Sequence, residues 1–187
     1  MSVAKSEAFR FCPSCGAGGD AGGPVFLNGK RWLCGSCGFQ YFHNVATAAG
    51  LILDTLGEIV FVERALEPRK GKLSLPGGFV NPGERAEDGA LRECREEIGW
   101  APPELSFLGS FPNVYEYGGV SYNTCDIYFY YRFPGGADLS RFSLGDGETA
   151  AVRLARPSEL REGDLAFPSL VKAIDVYRRL KKTSRAD

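Results

Sequence analysis

Gly78-Phe79-Val80-Asn81-Pro82-Gly83-Glu84 is followed, after seven residues, by Arg92-Glu93-Cys94-Arg95-Glu96-Glu97-Ile98-Gly99-Trp100. The pattern predicts a helix over Glu84 to Ile98. Ala86, Ala90, Leu91, Cys94 and Ile98 recur on one side at helical spacing. Gly99 is placed to end it, and Pro102-Pro103 prevent its continuation. Positions three and four apart share a helix face, so Glu93, Glu96 and Glu97 are expected to project together. Carboxylates this close repel one another unless a cation lies between them. A hard divalent ion suits oxygen ligands, and magnesium keeps several waters and is usually completed by substrate phosphates. Arg92 and Glu96, four apart, are placed to pair. The competing reading is an exposed acidic face with intrahelical salt bridges. That reading suffices for a lone Glu-Glu pair, but a glycine-rich loop with Glu84 at fixed distance is harder to reach by chance.

Working outward, Ala46 to Asp54 and Glu58 to Arg64 read as strands with a turn near Thr55-Leu56-Gly57. Leu73 to Val80 is extended but broken at Pro76-Gly77-Gly78. Leu105 to Pro112 and the aromatic-rich Tyr122 to Phe133 read as strands, with Gly118-Gly119 as a hairpin signal between them. Ala150 to Leu154 is a further short strand. Ser169 to Lys182 is an amphipathic helix with Leu170, Ile174, Tyr177 and Leu180 on one stripe. Its basic end suits the negative end of the helix dipole. Strands mixed with two helices give an α/β or α+β class.

Residues 9–42 differ in composition, being rich in Cys and Gly and poor in periodic apolar pattern. The run from Gly16 to Pro24 reads as a loop, since its glycines lose too much backbone entropy in a helix or strand. On either side stand Cys12-Pro13-Ser14-Cys15-Gly16 and Cys34-Gly35-Ser36-Cys37-Gly38, about 18 residues apart. Four thiolates in two Cys-x-x-Cys pairs suit a tetrahedral, structural zinc with no open position. Disulfides and a redox pair are the other readings. His43 is the only histidine. It reads as a linker residue, with a place near the zinc as the alternative.

Net charge is -1, with 44% hydrophobic and 24% charged residues. These values fit a globular protein and give no broad electrostatic grip on nucleic acid or an anionic membrane. No apolar run approaches the roughly 18 residues of a membrane helix. The start lacks the apolar core of a signal peptide, so a cytoplasmic location is expected. No phosphate-binding Gly-x-x-x-x-Gly-Lys loop is present.

The segment 78–100 resembles the Nudix box. Gly78, Glu84, Arg92, Glu93, Glu96, Glu97 and Gly99 occupy its glycine and polar positions, with Cys94 and Trp100 at its apolar ones. The resemblance implies a Nudix α/β/α sandwich with a mixed sheet over 44–182, behind a zinc ribbon over 9–42. It implies a pyrophosphohydrolase acting on a nucleoside diphosphate derivative such as NAD(H) or ADP-ribose, with Mg2+ or Mn2+ as cofactor. Glu93 and Glu97 would bind the metal with Glu96 helping, and backbone at Gly78 would add a ligand. Arg92 would hold the carboxylates. The base would be a box glutamate or Glu148, which stands in a loop ahead of a predicted strand. Glu148 as a solvated turn residue is the alternative.

A ribbon ahead of a Nudix domain resembles the NADH pyrophosphatase branch. Of that branch's Ser-Gln-Pro-Trp-Pro-Phe-Pro motif, Ser110-Phe111-Pro112-Asn113-Val114-Tyr115 keeps a Ser, a Pro and an aromatic and loses the Trp. The alternatives in function are a nucleotide-sensing or RNA-binding module, or removal of a nucleotide cap from RNA. For the ribbon, only Lys30, Arg31 and Trp32 are candidates for nucleic acid, so a small-molecule substrate is expected and a nucleic-acid partner is not. The resemblance leaves a homodimer open. Tyr115, Tyr117 and Tyr122 either stack on a base or form cross-strand aromatic pairs. Cys125 reads as a core residue.

Overall fold

The computed structural model describes residues 10–18, 22–145 and 147–183. Phe9, the expected start of the ribbon, lies outside them. So do Gly19, Asp20 and Ala21 of the predicted glycine loop, and Asp146 ahead of Glu148. The chain forms two compact units. One contains residues up to Val45 together with Val114–Asn123, and the other contains Ala46–Asn113 and the residues from Thr124 onward.

In the first unit, β1 (Pro24–Leu27), β2 (Arg31–Cys34) and β3 (Gln40–Phe42) form an antiparallel sheet in that order. Pro24, expected in a loop, opens β1, a position where a missing N–H is tolerated. Trp32 anchors this unit at 4% exposure. Its ring centroid lies 4.4 Å from that of Phe26 and 5.0 Å from that of His43. His43 is therefore a packing residue of this unit and not a bare linker. Its Nε2 lies 3.5 Å from the Asn123 side-chain amide. Burial also removes Trp32 from the candidates for base stacking, and Arg31 is engaged by Gln40 at 2.9 Å.

The second unit begins with β4 (Ala46–Thr55), β5 (Glu58–Arg64), β6 (Leu73–Ser74), β7 (Gly77–Phe79) and helix α1 (Ala86–Ile98). There follow β8 (Ser106–Tyr117) and β9 (Val120–Arg132), whose residues Val114–Asn123 belong to the first unit, then β10 (Thr149–Ala155) and helix α2 (Pro168–Thr183). The sheet order is β10-β5-β4-β9-β8, with β6 on β5 and β7 on β4. Strand β4 runs antiparallel to β5 and β7 but parallel to β9, so the sheet is mixed. Strand β8 continues past Pro112, where the sequence reading stopped it. As the last strand of the order it is an edge, and an edge accepts a residue with no N–H to donate.

Period-two alternation splits the central strands between two cores. Leu51, Leu53, Val60, Val62 and Phe129 pack with Ala90, Cys94 and Ile98 of α1. Ile52, Ile59, Phe61 and Tyr128 pack with Leu170, Ala173, Ile174 and Tyr177 of α2. Covering both faces explains the nearly unbroken apolar runs of β4 and β5. Each fully buried aliphatic chain contributes roughly 1.5–3 kcal/mol. The α/β/α sandwich is thus the observed architecture. Trp100 fits it through an aromatic cluster with Phe133, Tyr131 and Phe142, the nearest centroid 4.9 Å away. Cys94 is a core thiol, pushed up to about 12 by burial. Cys125, expected in the core, is only half-buried. Leu180, expected on the apolar stripe of α2, is 37% exposed.

A polar knot ties the end of β4 to α2. Asp54 is 4% exposed and accepts hydrogen bonds from Tyr177 Oη at 2.7 Å, the Gly57 amide at 2.8 Å and Lys181 Nζ. Burial works to raise the Asp54 carboxyl, but the bonds from Lys181, Tyr177 and Gly57 prevail and hold it below the usual range. A depressed folded value stabilises the fold above the ordinary aspartate pKa of about 3.9, and that contribution is lost as pH falls through the folded value. Asp54→Asn is expected to cost on the order of 3 kcal/mol at pH 7, by leaving Lys181 without its partner. Urea titrations should show the gap to the parent closing below about pH 4. A gap that stays constant down to pH 2 would remove the linkage.

Candidate active site and zinc centre

Helix α1 places the box carboxylates, and the loop before it supplies their floor. The helix begins at Ala86, two residues later than Glu84, because Glu84 closes a turn ahead of it. Glu84 Oε2 accepts the Asn81 amide at 2.9 Å, and its amide donates to the Asn81 carbonyl at 3.0 Å. The helix ends at Gly99, whose φ of 70° is left-handed, as the sequence expected.

Arg92 organises the acidic groups. Its Nε and Nη2 donate to Glu84 at 2.9 and 3.1 Å. Its Nη1 donates to Glu93 at 2.7 Å and to Glu96 at 2.9 Å, and its Nη2 donates also to the Phe79 carbonyl at 3.0 Å. The bonds to Glu84 first, then those to Glu93 and Glu96, raise the guanidinium pKa further, while the Glu84 carboxyl is lowered by Arg92 and the Asn81 amide. The expected Arg92–Glu96 pair is present. The cation among these carboxylates is an arginine from the same helix.

Glu93 and Glu97, one turn apart on α1, both meet β7, at Gly78 and Gly77 respectively. Glu97 turns inward to 8% exposure, and its Oε2 accepts the Gly77 amide at 3.0 Å. Glu93 lies under Gly78. A Cβ on Gly78 would stand 2.7–2.8 Å from all three atoms of the Glu93 carboxylate. Gly77 has φ of 152°, and a Cβ there would meet the Ala49 carbonyl at 2.3 Å. These glycines therefore let β7 lie tight on β4 while the backbone closes over the Glu93 carboxylate. Burial, and after it the charges of Glu96 and Glu148, raise the Glu93 carboxyl against the lowering influence of Arg92. The donor set is oxygen-only and crowded with negative charge, which fits a hard divalent cation. Magnesium needs only one or two of these carboxylates, because waters and substrate phosphates complete its shell.

Glu148 is exposed, yet its charge reaches Glu93. Its loop is braced at both ends. The Ser143 amide donates to the Ile98 carbonyl at 3.0 Å, and the Ala65 amide donates to the Glu148 carbonyl at 2.7 Å. Gly145 passes so close to the Glu96 carbonyl that a Cβ would stand 2.3 Å from it. Sequence reasoning had no signal for Ser143 and Gly145, whose role is set by contact with the end of α1. Tyr115, Tyr117 and Tyr122 belong to the first unit, whereas the box belongs to the second. Tyr115 and Tyr117 stack on each other along one strand, with centroids 6.4 Å apart, so they are not a cross-strand pair.

Gly78→Ala should lower kcat/KM by about a hundredfold, since a misplacement near 1 Å costs that much. Its melting temperature should change far less. Unchanged kinetics would show that the Glu93 position is not critical.

Among the described residues, Cys12, Cys15, Cys34 and Cys37 converge with all four sulfurs within 4.8 Å of one another. Cys12 and Cys37 sulfurs are 3.7 Å apart, as are those of Cys15 and Cys34. A disulfide needs about 2.05 Å. Tetrahedral zinc with bonds of about 2.3 Å places sulfurs about 3.8 Å apart. Gly16 and Gly38, at φ of 74° and 73°, turn each knuckle so that their amides bond back to the Cys12 and Cys34 carbonyls. The cluster suits zinc, held by four thiolates with no open position.

The NUDIX domain family matches residues 43–175. The chain belongs to the Nudix hydrolase family. An ADP-ribose pyrophosphatase of Methanocaldococcus jannaschii is 38% identical over 73 residues, covering 39% of this chain and 43% of that protein. The NAD-capped RNA hydrolase NudC of Stutzerimonas stutzeri is 34% identical over 92 residues, covering 48% of this chain and 31% of that protein. This Nudix chain thus spans under half the length of these curated relatives. Among solved structures, a Nudix hydrolase from Nitrosomonas europaea is similar at 25% identity and a TM-score of 0.62, covering 88% of each chain. The Nudix domain of Shewanella oneidensis NrtR, solved with ADP ribose, shares the fold at 19% identity and a TM-score of 0.61, covering 74% of this chain and 89% of that one.

Proposed function

We propose that the chain is a magnesium-dependent pyrophosphohydrolase that cleaves the diphosphate bond of a nucleoside diphosphate derivative, with ADP-ribose and the NAD group as the substrate classes. The observation that carries this reading is the joint geometry of Gly77, Gly78, Arg92, Glu93 and Glu97. It holds one carboxylate beneath a backbone cradle and a second on a backbone amide, beside an arginine clamp. Glu93 and Glu97 would hold the metal, with Glu96 and the backbone at Gly78 in support. When bound, the metal polarises phosphate oxygens and makes water nucleophilic near neutral pH. Arg92 keeps Glu93 and Glu96 oriented. Water attacks one phosphorus and the bridging oxygen leaves. Glu148, on its braced loop, takes the proton of the attacking water, with a box glutamate as the competing base.

The ribbon, proposed for residues 9–42 ahead of the 44–182 domain, holds structural zinc. Relatives named as NAD-capped RNA hydrolases favour a second reading, in which the NAD group is carried on RNA. A nucleic-acid substrate thus gains weight over the sequence expectation, although the net charge of -1 supplies no general attraction to RNA. No described helix is long and apolar enough to cross a membrane. The proposed setting is cytoplasmic, where the thiolates stay reduced.

The test is hydrolysis with magnesium of ADP-ribose, NADH, NAD and NAD-capped RNA, with products identified. AMP from ADP-ribose, NADH or NAD, or nicotinamide mononucleotide and a 5′-monophosphate RNA end from NAD-capped RNA, supports the reading. No release by zinc-loaded, folded protein would overturn it.

A further inference from the structure

The far end of the sheet carries a basic cavity that the box chemistry does not use. It has a volume of about 180 Å³, and its lining includes Asp54, Arg156, Tyr177, Arg178, Lys181 and Lys182. Strand β7 pairs with β4 at Ala48, Ala49 and Gly50, whereas Asp54 stands four residues further along β4, about 13 Å away at strand rise. Arg178, Lys181 and Lys182 share one face of the last turns of α2, and Arg156 faces them from the end of β10.

The charges on this lining do not balance. Asp54 is its one carboxylate, and that group is already bonded to Tyr177, Gly57 and Lys181. The C-terminal end of a helix adds only about half a negative charge. Four cations therefore stand against about one and a half negative units. The outside partners hold weakly. Arg156 reaches Glu58 and Glu159 at 3.9 and 4.0 Å, and Arg178 reaches Asp175 at 3.5 Å, all with exposed side chains. Exposed pairs of this kind contribute little and yield readily to a better anion.

We propose that this cavity is an anion site for a phosphate or diphosphate group of a small molecule, separate from the Nudix box. Size supports that ligand class. The volume is below the roughly 300 Å³ at which pockets for whole drug-sized ligands begin, yet it equals about six waters. Arginine forks and lysine ammoniums are the side chains that bind such oxyanions through charge-assisted hydrogen bonds. Gly57 and Ser158, which also line the cavity, report on occupancy. The site does not depend on the hydrolase reading, because none of these residues touches the box.

The experiment titrates inorganic phosphate, and separately pyrophosphate, into zinc-loaded protein without added magnesium, following backbone amide shifts. Saturable shifts at Gly57, Ser158 and Lys182 are expected, with little movement at Gly77 and Gly78. Lys182→Ala should weaken the affinity about tenfold, Arg156→Ala/Lys182→Ala further, and Lys182→Arg should retain most of it. Hydrolase activity of Lys182→Ala should match the parent, which separates failure of this proposal from failure of the box assignment. The proposal is overturned if sodium chloride at matched ionic strength gives the same shifts, if no saturation appears, or if the folded alanine variants bind phosphate as the parent does.

Discussion

Glu97→Gln is expected to abolish turnover and leave the fold in place. Glu97 is buried and its Oε2 accepts the Gly77 amide at 3.0 Å. A glutamine carbonyl can accept the same bond at the same size, so the loop over Glu93 keeps its anchor. What disappears is one negative charge, in a site whose proposed role is to hold a divalent cation. Metal assistance to phosphoryl transfer is worth several kcal/mol. A fall in kcat/KM of about a thousandfold, or ~4 kcal/mol, is therefore expected. The check is steady-state hydrolysis across a magnesium titration, with circular dichroism and a melting curve alongside. Normal turnover in a folded variant would sink the assignment of Glu97. A variant that fails to fold would instead mark Glu97 as a structural anchor for Gly77.

Cys34→Ser is expected to abolish stable zinc binding and disorder the β1–β3 sheet. Cys34 is 2% exposed and ends β2, so its sulfur sits where the sheet meets the cluster. Its amide N–H donates to the Phe39 carbonyl at 2.9 Å, which ties the knuckle turn to the end of β2. Structural zinc contributes an apparent 10–16 kcal/mol in zinc-finger peptides, far more than a three-stranded sheet with one buried tryptophan supplies. The parent should release one zinc per chain on thiol modification, and the variant should hold none after dialysis. Amide exchange at Val25, Trp32 and Leu33 should lose its protection in parallel. Retention of zinc by Cys34→Ser, or a parent without zinc whose thiols are oxidised, would remove the zinc reading.

Much of the site was legible because its spacing is local. Arg92, Glu93, Glu96 and Glu97 fall within two turns of one helix, and an Arg–Glu pair four apart is fixed by helix geometry alone. The knuckles were legible for the same reason, since Cys-x-x-Cys-Gly encodes a turn within five residues. What could not be read was what each carboxylate meets. Helical spacing puts Glu97 beside Glu93, but only the fold brings Gly77 and Gly78, from a strand paired to β4, onto these two carboxylates. His43 was misread because its partners Phe26 and Trp32 are distant in sequence and carry no spacing signal. Ser143 and Gly145 were missed for the same reason.

The sequence by itself determined the strands β4 and β5, both helices, the hairpin turn at Gly118-Gly119 and the two metal-type donor sets. Each depends on periodicity, or on residues close along the chain, where backbone geometry fixes the spacing. Tertiary structure alone decided which strand face meets which helix, the inward turn of Glu97, and the loop that brings the Glu148 charge to Glu93. It also decided the convergence of Asp54, Arg156 and the end of α2 around one cavity. Those arrangements depend on contacts between residues far apart in the chain, whose energies come from burial and pairing that no local pattern records.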